Sequence, residues 1–145
     1  MNRMLPIVLM AFAFVAVVLT VVASVEYCIR LTANIVSDAY ASDWTTEFLI
    51  SHLESNNDTW PTSWSDLEDD HAALYPQPCP FTFAEIQERV ELSFDVAIAA
   101  ITNTKDPITF FRLKSGISAN YGGDPNVRIR DYFRSKPRQV EANSS

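Results

Sequence analysis

The chain has 145 residues, 48% of them hydrophobic, and a formal net charge of -7. That length allows one compact domain and little more. Three glycines and eight prolines exclude a collagen or a Gly/Ser linker protein, and two cysteines are too few for a disulfide-built scaffold.

Apolar residues and charges are both segregated. Residues 1–25 hold 20 of the apolar side chains. Residues 26–99 carry 14 acids against two bases, Arg30 and Arg89, whereas residues 100–145 carry eight bases against four acids. An acidic body repels a phosphate backbone, which argues against nucleic acid as a partner. For the basic end, the simplest acidic surface is the protein's own acidic half.

Residues 4–25 form a run of 22 residues without a charge. As a helix it spans about 33 Å, close to the thickness of a bilayer's hydrocarbon core. Thirteen of its residues are Val, Leu, Ile or Phe, and at ~0.3–0.6 kcal/mol each they favour insertion by several kcal/mol. Pro6 lies in the first turn, where its missing N–H matters least. Tyr27 falls where an interfacial aromatic is expected. The competing reading is a cleaved signal peptide ending at Val22-Ala23-Ser24. Two features oppose it: the apolar run exceeds the ~7–15 residues of a signal core, and the leader has only Arg3. Glu26 and Tyr27 before Cys28 do not fit a lipidation box. Arg3 and the α-amine place the N-terminus in the cytoplasm and residues 26–145 outside it.

After the span, Ile29, Ala33, Val36, Tyr40, Trp44 and Phe48 recur at steps of three and four. They predict that the helix runs on, amphipathic, to about Leu53 and ends at Asn56-Asn57. Ser63 and Asp66 predict a cap for a short helix with Trp64 and Leu67 inside. Pro76, Pro78 and Pro80 predict an extended linker. Thr82 and Glu85 form a capping-box pattern for another short helix to about Arg89. From Val90 the period becomes two: Val90, Leu92, Phe94, Val96 and Ile98 alternate with Glu91, Ser93 and Asp95, which predicts a strand. A second strand is expected over 108–113 and a third around 117–121. Asp124-Pro125 predicts the start of a last helix near 127–133.

The fold class is therefore α+β: a transmembrane helix continuing as a long amphipathic helix, short helices, and an antiparallel sheet of two or three strands. The domains are a cytoplasmic stub with the membrane helix (1–25) and an extracytoplasmic α+β domain (26–145). Within the second lie the helix (26–55), short helices and Pro-rich linker (60–89), sheet (90–121), short helix (124–134) and tail (135–145). The sheet needs a cover for its apolar face, and the amphipathic half of the long helix is the expected one.

This order resembles type IV pilins and the pseudopilins of type II secretion. In many of these a segment like Trp60-Pro61-Thr62-Ser63-Trp64-Ser65-Asp66-Leu67 follows the long helix. The resemblance implies a small sheet packed on that helix and a place in a secretion apparatus. It is architectural, since residues 1–25 contain neither the glycine nor the acid of that family's processing segment. The layout is also similar to that of uncharacterised bacterial single-pass membrane proteins.

No enzyme or cofactor motif emerges. His52 and His71, with Cys28 and Cys79, have no zinc spacing, and structural roles are expected for both histidines. Cys28 and Cys79 are candidates for a disulfide outside the cytoplasm, and Cys28 for pairing with its copy in a second chain; free thiols are the simpler reading. Glu68-Asp69-Asp70 lacks the alternation and glycine of a calcium loop. Tyr121-Gly122-Gly123-Asp124 reads as a turn rather than a phosphate cradle. Trp44, Trp60 and Trp64 are read chiefly as core, with Trp60 and Trp64 as candidate recognition residues. Arg128, Arg130, Arg134, Lys136 and Arg138 form a basic stretch that is either a solvated tail or, with Arg128, Arg130 and Arg134 as candidate interaction residues, turned to anionic lipid or an acidic partner. Asn57-Asp58-Thr59 and Asn143-Ser144-Ser145 match the glycosylation sequon.

The function expected is a membrane-tethered, non-catalytic structural or interaction module of the cell envelope. Its partners are the bilayer and another envelope protein or a second copy. Two alternatives remain open. One is a small anchored ligand-binding or hydrolytic domain with a site lined by Trp60, Trp64 and residues 68–71. The other is a pseudopilin-like secretion component.

Overall fold

The computed structural model describes residues 4–73, 81–103, 105 and 108–136. The linker prolines 76, 78 and 80, Cys79, the tail beyond residue 136 and the second sequon lie outside them. The fold is α+β. Helix α1 (Met4–Ser55) is followed by a 3-10 turn (Trp64–Leu67), α2 (Glu68–Ala73), α3 (Phe83–Arg89), β1 (Val90–Leu92), α4 (Ile98–Ile101), β2 (Phe111–Leu113) and α5 (Pro125–Ser135). Internal contacts divide the chain into two compact units, Met1–Val36 and Ser37–Ser145.

In the first unit the side chains of residues 8–34 are all exposed. Several of its polar side chains bond within the helix. Thr20 and Ser24 donate to the carbonyls of Ala16 and Thr20 at 2.9 and 2.8 Å, and Thr32 donates to Cys28 O at 2.9 Å. Glu26 and Arg30, one turn apart, form an ion pair. Among the described residues α1 is the one helix long and apolar enough to cross a membrane, with mean hydropathy 2.8 in its most apolar stretch.

The second unit is built around residues 37–55 of α1. The buried face there is not the predicted stripe. Phe48 is fully buried, but Tyr40 is exposed and Trp44 only half-buried. The buried line runs through Asp38, Ala41, Ser42, Thr45, Thr46, Leu49, His52 and Leu53. Hydroxylated residues can face inward because their hydroxyls are satisfied: Thr45 donates to Ala41 O at 2.7 Å, Thr46 to Ser42 O at 2.9 Å, and Ser42 to Asn120 Oδ1 at 3.1 Å. Past Ser55 the chain turns through Asn57 and Asp58, both left-handed at φ 53° and 60°. Asn and Asp tolerate that conformation, so they end the helix without a glycine.

The Thr82 capping box forms in full: Thr82 Oγ1 accepts from Glu85 N at 3.3 Å, and Glu85 accepts from Thr82 N at 2.7 Å. The cap expected at Ser63 does not. Its hydroxyl makes no bond to the backbone of the turn; instead Asp66 takes the Thr62 N–H at 2.7 Å.

The sheet has two antiparallel strands, with Glu91 opposite Arg112 and Leu92 opposite Phe111. The first strand is shorter than predicted. Ser93 N still pairs with Phe110 O at 2.8 Å, but the Ser93 carbonyl is taken by the Trp60 indole N–H at 3.1 Å. Phe94 turns onto Trp64, and residues 98–101 coil into α4. Residues 117–121 form no strand, because the outer edge of β2 is already filled by Asn126. Asp124 caps α5 through Asn126 N at 2.8 Å, with Pro125 in the first turn as predicted. Phe48, Leu49, Leu53, Leu67, Ile86, Val90, Ile101, Phe110 and Ile129 make up most of the core.

Candidate functional site

The chemistry-bearing side chains of the second unit lie where α2, α3 and α5 meet α1. Asp43 and Glu47 stand one helical turn apart, so both carboxylates share a face. Arg128 of α5 reaches both: its Nη1 donates to Asp43 Oδ1 at 2.5 Å and its Nη2 to Glu47 Oε1. A guanidinium fork suits this two-point contact better than an ammonium. Gly122 makes room for it. A Cβ at that position would collide with the Asp43 carboxylate and lie 2.9 Å from Arg128 Nη1.

Farther along, Asp58 accepts from Lys136 Nζ at 2.5 Å and from Tyr132 Oη at 2.8 Å. The Lys136 bond, with the Tyr132 hydroxyl adding to it, holds the Asp58 carboxyl below its ordinary 3.8. In return Asp58 raises the Lys136 ammonium above 10.5. Burial above all pushes the Tyr132 hydroxyl above 10.0. The basic end of the chain thus meets the chain's own acidic half.

On α3, Arg89 Nη1 donates to Asp38 Oδ1 at 2.8 Å. The Asp38 side chain is only 6% exposed and the Arg89 side chain 30%. Arg89 also lies over the Phe81 ring, 5.6 Å from its centroid. Near the end of α1, His52 Nδ1 is 2.9 Å from Asp70 Oδ2 of α2, both side chains nearly buried. Asn56 donates to His52 O at 2.9 Å.

An aromatic cluster lies beside these pairs. Trp64 packs edge-on against Phe83 and Phe94, with centroids 5.9 and 5.7 Å apart. Phe48 meets Trp44, His71 and Phe83. Trp60 is buried edge-on against Phe110 at 5.1 Å. Both candidate tryptophans are therefore packed into the body. A recess of about 190 Å³ is lined by Phe111, Leu113, Ile117, Ser118, Asn120 and Asn126 among others, and by neither tryptophan.

The other sequence candidates are dispersed. Arg130 Nε donates to Asn126 O at 3.2 Å, and Arg134 pairs with Asp131 on its own helix at 3.2 Å. Arg128, Arg130 and Arg134 thus serve three different partners. Glu68 and Asp69 are exposed, Asp70 turns to His52, and His71 turns edge-on to Phe48. Among the described residues no three His, Cys, Asp or Glu side chains converge as metal ligands. Cys28 is exposed on α1.

Sequence reasoning missed the roles of Asp38, Asp43, Glu47 and Asn126. The i, i+4 acids of α1 opposite a basic C-terminal helix were the available signal for Asp43 and Glu47. It also missed the stacking of Tyr40 on Tyr121 at 5.5 Å, with Tyr121 74% exposed. Nothing in a lone Tyr-Gly-Gly turn announces that contact. No protein-family model, curated protein or solved structure matches this chain.

Proposed function

We propose that the chain is a membrane-tethered, non-catalytic structural or interaction module of the cell envelope. The observation that carries this reading is the apolar part of α1, whose most hydrophobic stretch is 0% buried. So much exposed Val, Leu and Phe is unfavourable in water and suited to lipid, and its hydroxyls already bond within the helix. Arg3 on the N-terminal side favours a cytoplasmic N-terminus with residues 26–145 outside.

The second unit supports a binding rather than a chemical role. Its carboxylates and bases bond to one another across α1, α2, α3 and α5. Tyr40 and Tyr121 offer an exposed aromatic pair of the kind favoured in recognition surfaces. The partner is another envelope protein or a second copy of the chain. Crosslinking in native membranes, followed by gentle detergent extraction and identification of the linked species, tests this. A defined partner or a homo-oligomer is expected. A strictly monomeric, partnerless chain contradicts the proposal.

A further inference from the structure

We propose that α5 is a displaceable strap, held partly by charge, whose Asn126 fills the outer edge of β2 in place of a neighbouring strand. In the sheet register, the Phe110 carbonyl, Arg112 and the Lys114 N–H face β1: Phe110 O accepts from Ser93 N and Lys114 N donates to Arg89 O, both at 2.8 Å. Alternation then turns Phe111 and Leu113 outward. The Asn126 side-chain amide meets Phe111 as a peptide unit would. Its Oδ1 accepts from Phe111 N at 3.0 Å and its Nδ2 donates to Phe111 O at 3.1 Å. The same Oδ1 takes Phe110 N at 3.0 Å. Leu113 O is taken by Gly116 N at 3.0 Å. An edge filled in this way cannot template pairing with another chain.

The filling depends on a helix seated by two buried side chains and a set of part-exposed ion pairs. Within α5 only Pro125 and Ile129 are buried. Its polar ties to α1 and the following turn are Arg128 on Asp43 and Glu47, with Tyr132 and Lys136 on Asp58. The ion-paired side chains are 24–44% exposed, within reach of counter-ions. The connection from β2 contains Gly116 and Gly123 at φ 73° and 100°, glycines that suit a hinge. Lifting α5 uncovers the Phe111 N–H and C=O and frees the Asp43, Glu47 and Asp58 carboxylates. The closed strap thus conceals a strand edge and an acidic face.

The test is peptide-resolved amide hydrogen exchange on the full chain in detergent micelles, at about 0.05 M and about 1 M NaCl, the latter shortening the Debye length to about 3 Å. Peptides covering 108–113 and 125–136 are expected to exchange about tenfold faster at high salt, with those covering 46–53 unchanged. Arg128→Ala is expected to give the high-salt pattern at low salt. Equal exchange of α5 at both salt concentrations overturns the proposal. So does equal acceleration of 46–53, which would mean that α5 opens only when the whole unit does. Wild-type exchange in an Arg128→Ala chain overturns it as well.

Discussion

Replacing Arg89 by alanine removes the guanidinium that faces Asp38 across α1 and α3. The carboxylate left behind is 6% exposed, and Arg89 Nη1 is its hydrogen-bond partner, at 2.8 Å. Breaking a buried pair from one side typically destabilises by about 3–5 kcal/mol, because a charge is stranded away from water. Asp38→Ala strands the guanidinium instead, which is 30% exposed and able to reach solvent. It is therefore expected to destabilise less than Arg89→Ala, by about 2–3 kcal/mol. Arg89→Ala also loses the stacking over Phe81. The double variant strands no charge, so a coupling energy of about 1–3 kcal/mol is expected between the two sites. Trp44, Trp60 and Trp64 all lie in the second unit, so near-UV circular dichroism in micelles follows its melting. For a unit of this size about 3 kcal/mol lowers Tm by about 10 °C. Additive single effects, or an Arg89→Ala chain that melts with the wild type, would refute the assignment of this pair as a buried tie.

Phe48→Ala removes a fully buried ring in contact with Trp44, His71 and Phe83. A loss of about 3–5 kcal/mol and a weakened near-UV signal are expected on thermal melting. Gly122→Ala drives a Cβ into the Asp43 carboxylate. It should separate Asp43 from Arg128 and lower stability by about 1–3 kcal/mol, seen as a lower urea midpoint. Thr82→Ala removes the cap of α3, at a cost of about 1 kcal/mol. The cap also has a pH signature. Bonds from the Thr82 N–H and hydroxyl hold the Glu85 carboxyl below its ordinary 4.5. A depressed folded pKa stabilises above the unfolded value and loses that contribution as pH falls through the folded one. Tm should therefore fall on acidification below about pH 4.5, less steeply in Thr82→Ala, and a steeper fall in the variant would contradict the box.

The legible features were those written in local chemistry. The Thr82–Glu85 box, the Asp124-Pro125 start and the Asn56-Asn57 end depend on neighbours in sequence, and each forms where its pattern stands. The uncharged run of residues 4–25 was legible for the same reason. Illegible features were set by distant partners. The face of α1 was misread because Ser42, Thr45 and Thr46 do not count as apolar, yet the threonine hydroxyls bond back to the preceding turn and the Ser42 hydroxyl donates to Asn120 Oδ1, which lets all three be buried. The strand after Val90 was overextended because its end is fixed by Trp60, 33 residues away. The third strand fails because one side chain, Asn126, substitutes for it at β2. Of the candidate site, the meeting of basic end and acidic half followed from charge segregation. The choice of Arg128 over Arg130 and Arg134 required the register of α5 on α1.

The tether itself is best tested by washing membranes from the source organism with alkaline carbonate and weighing the chain that remains. A permanent lipid-buried helix leaves the polypeptide in the pellet with residues 4–25 present in its mass. Release into the wash, or a mature chain starting at Val25, would mean that this segment anchors nothing.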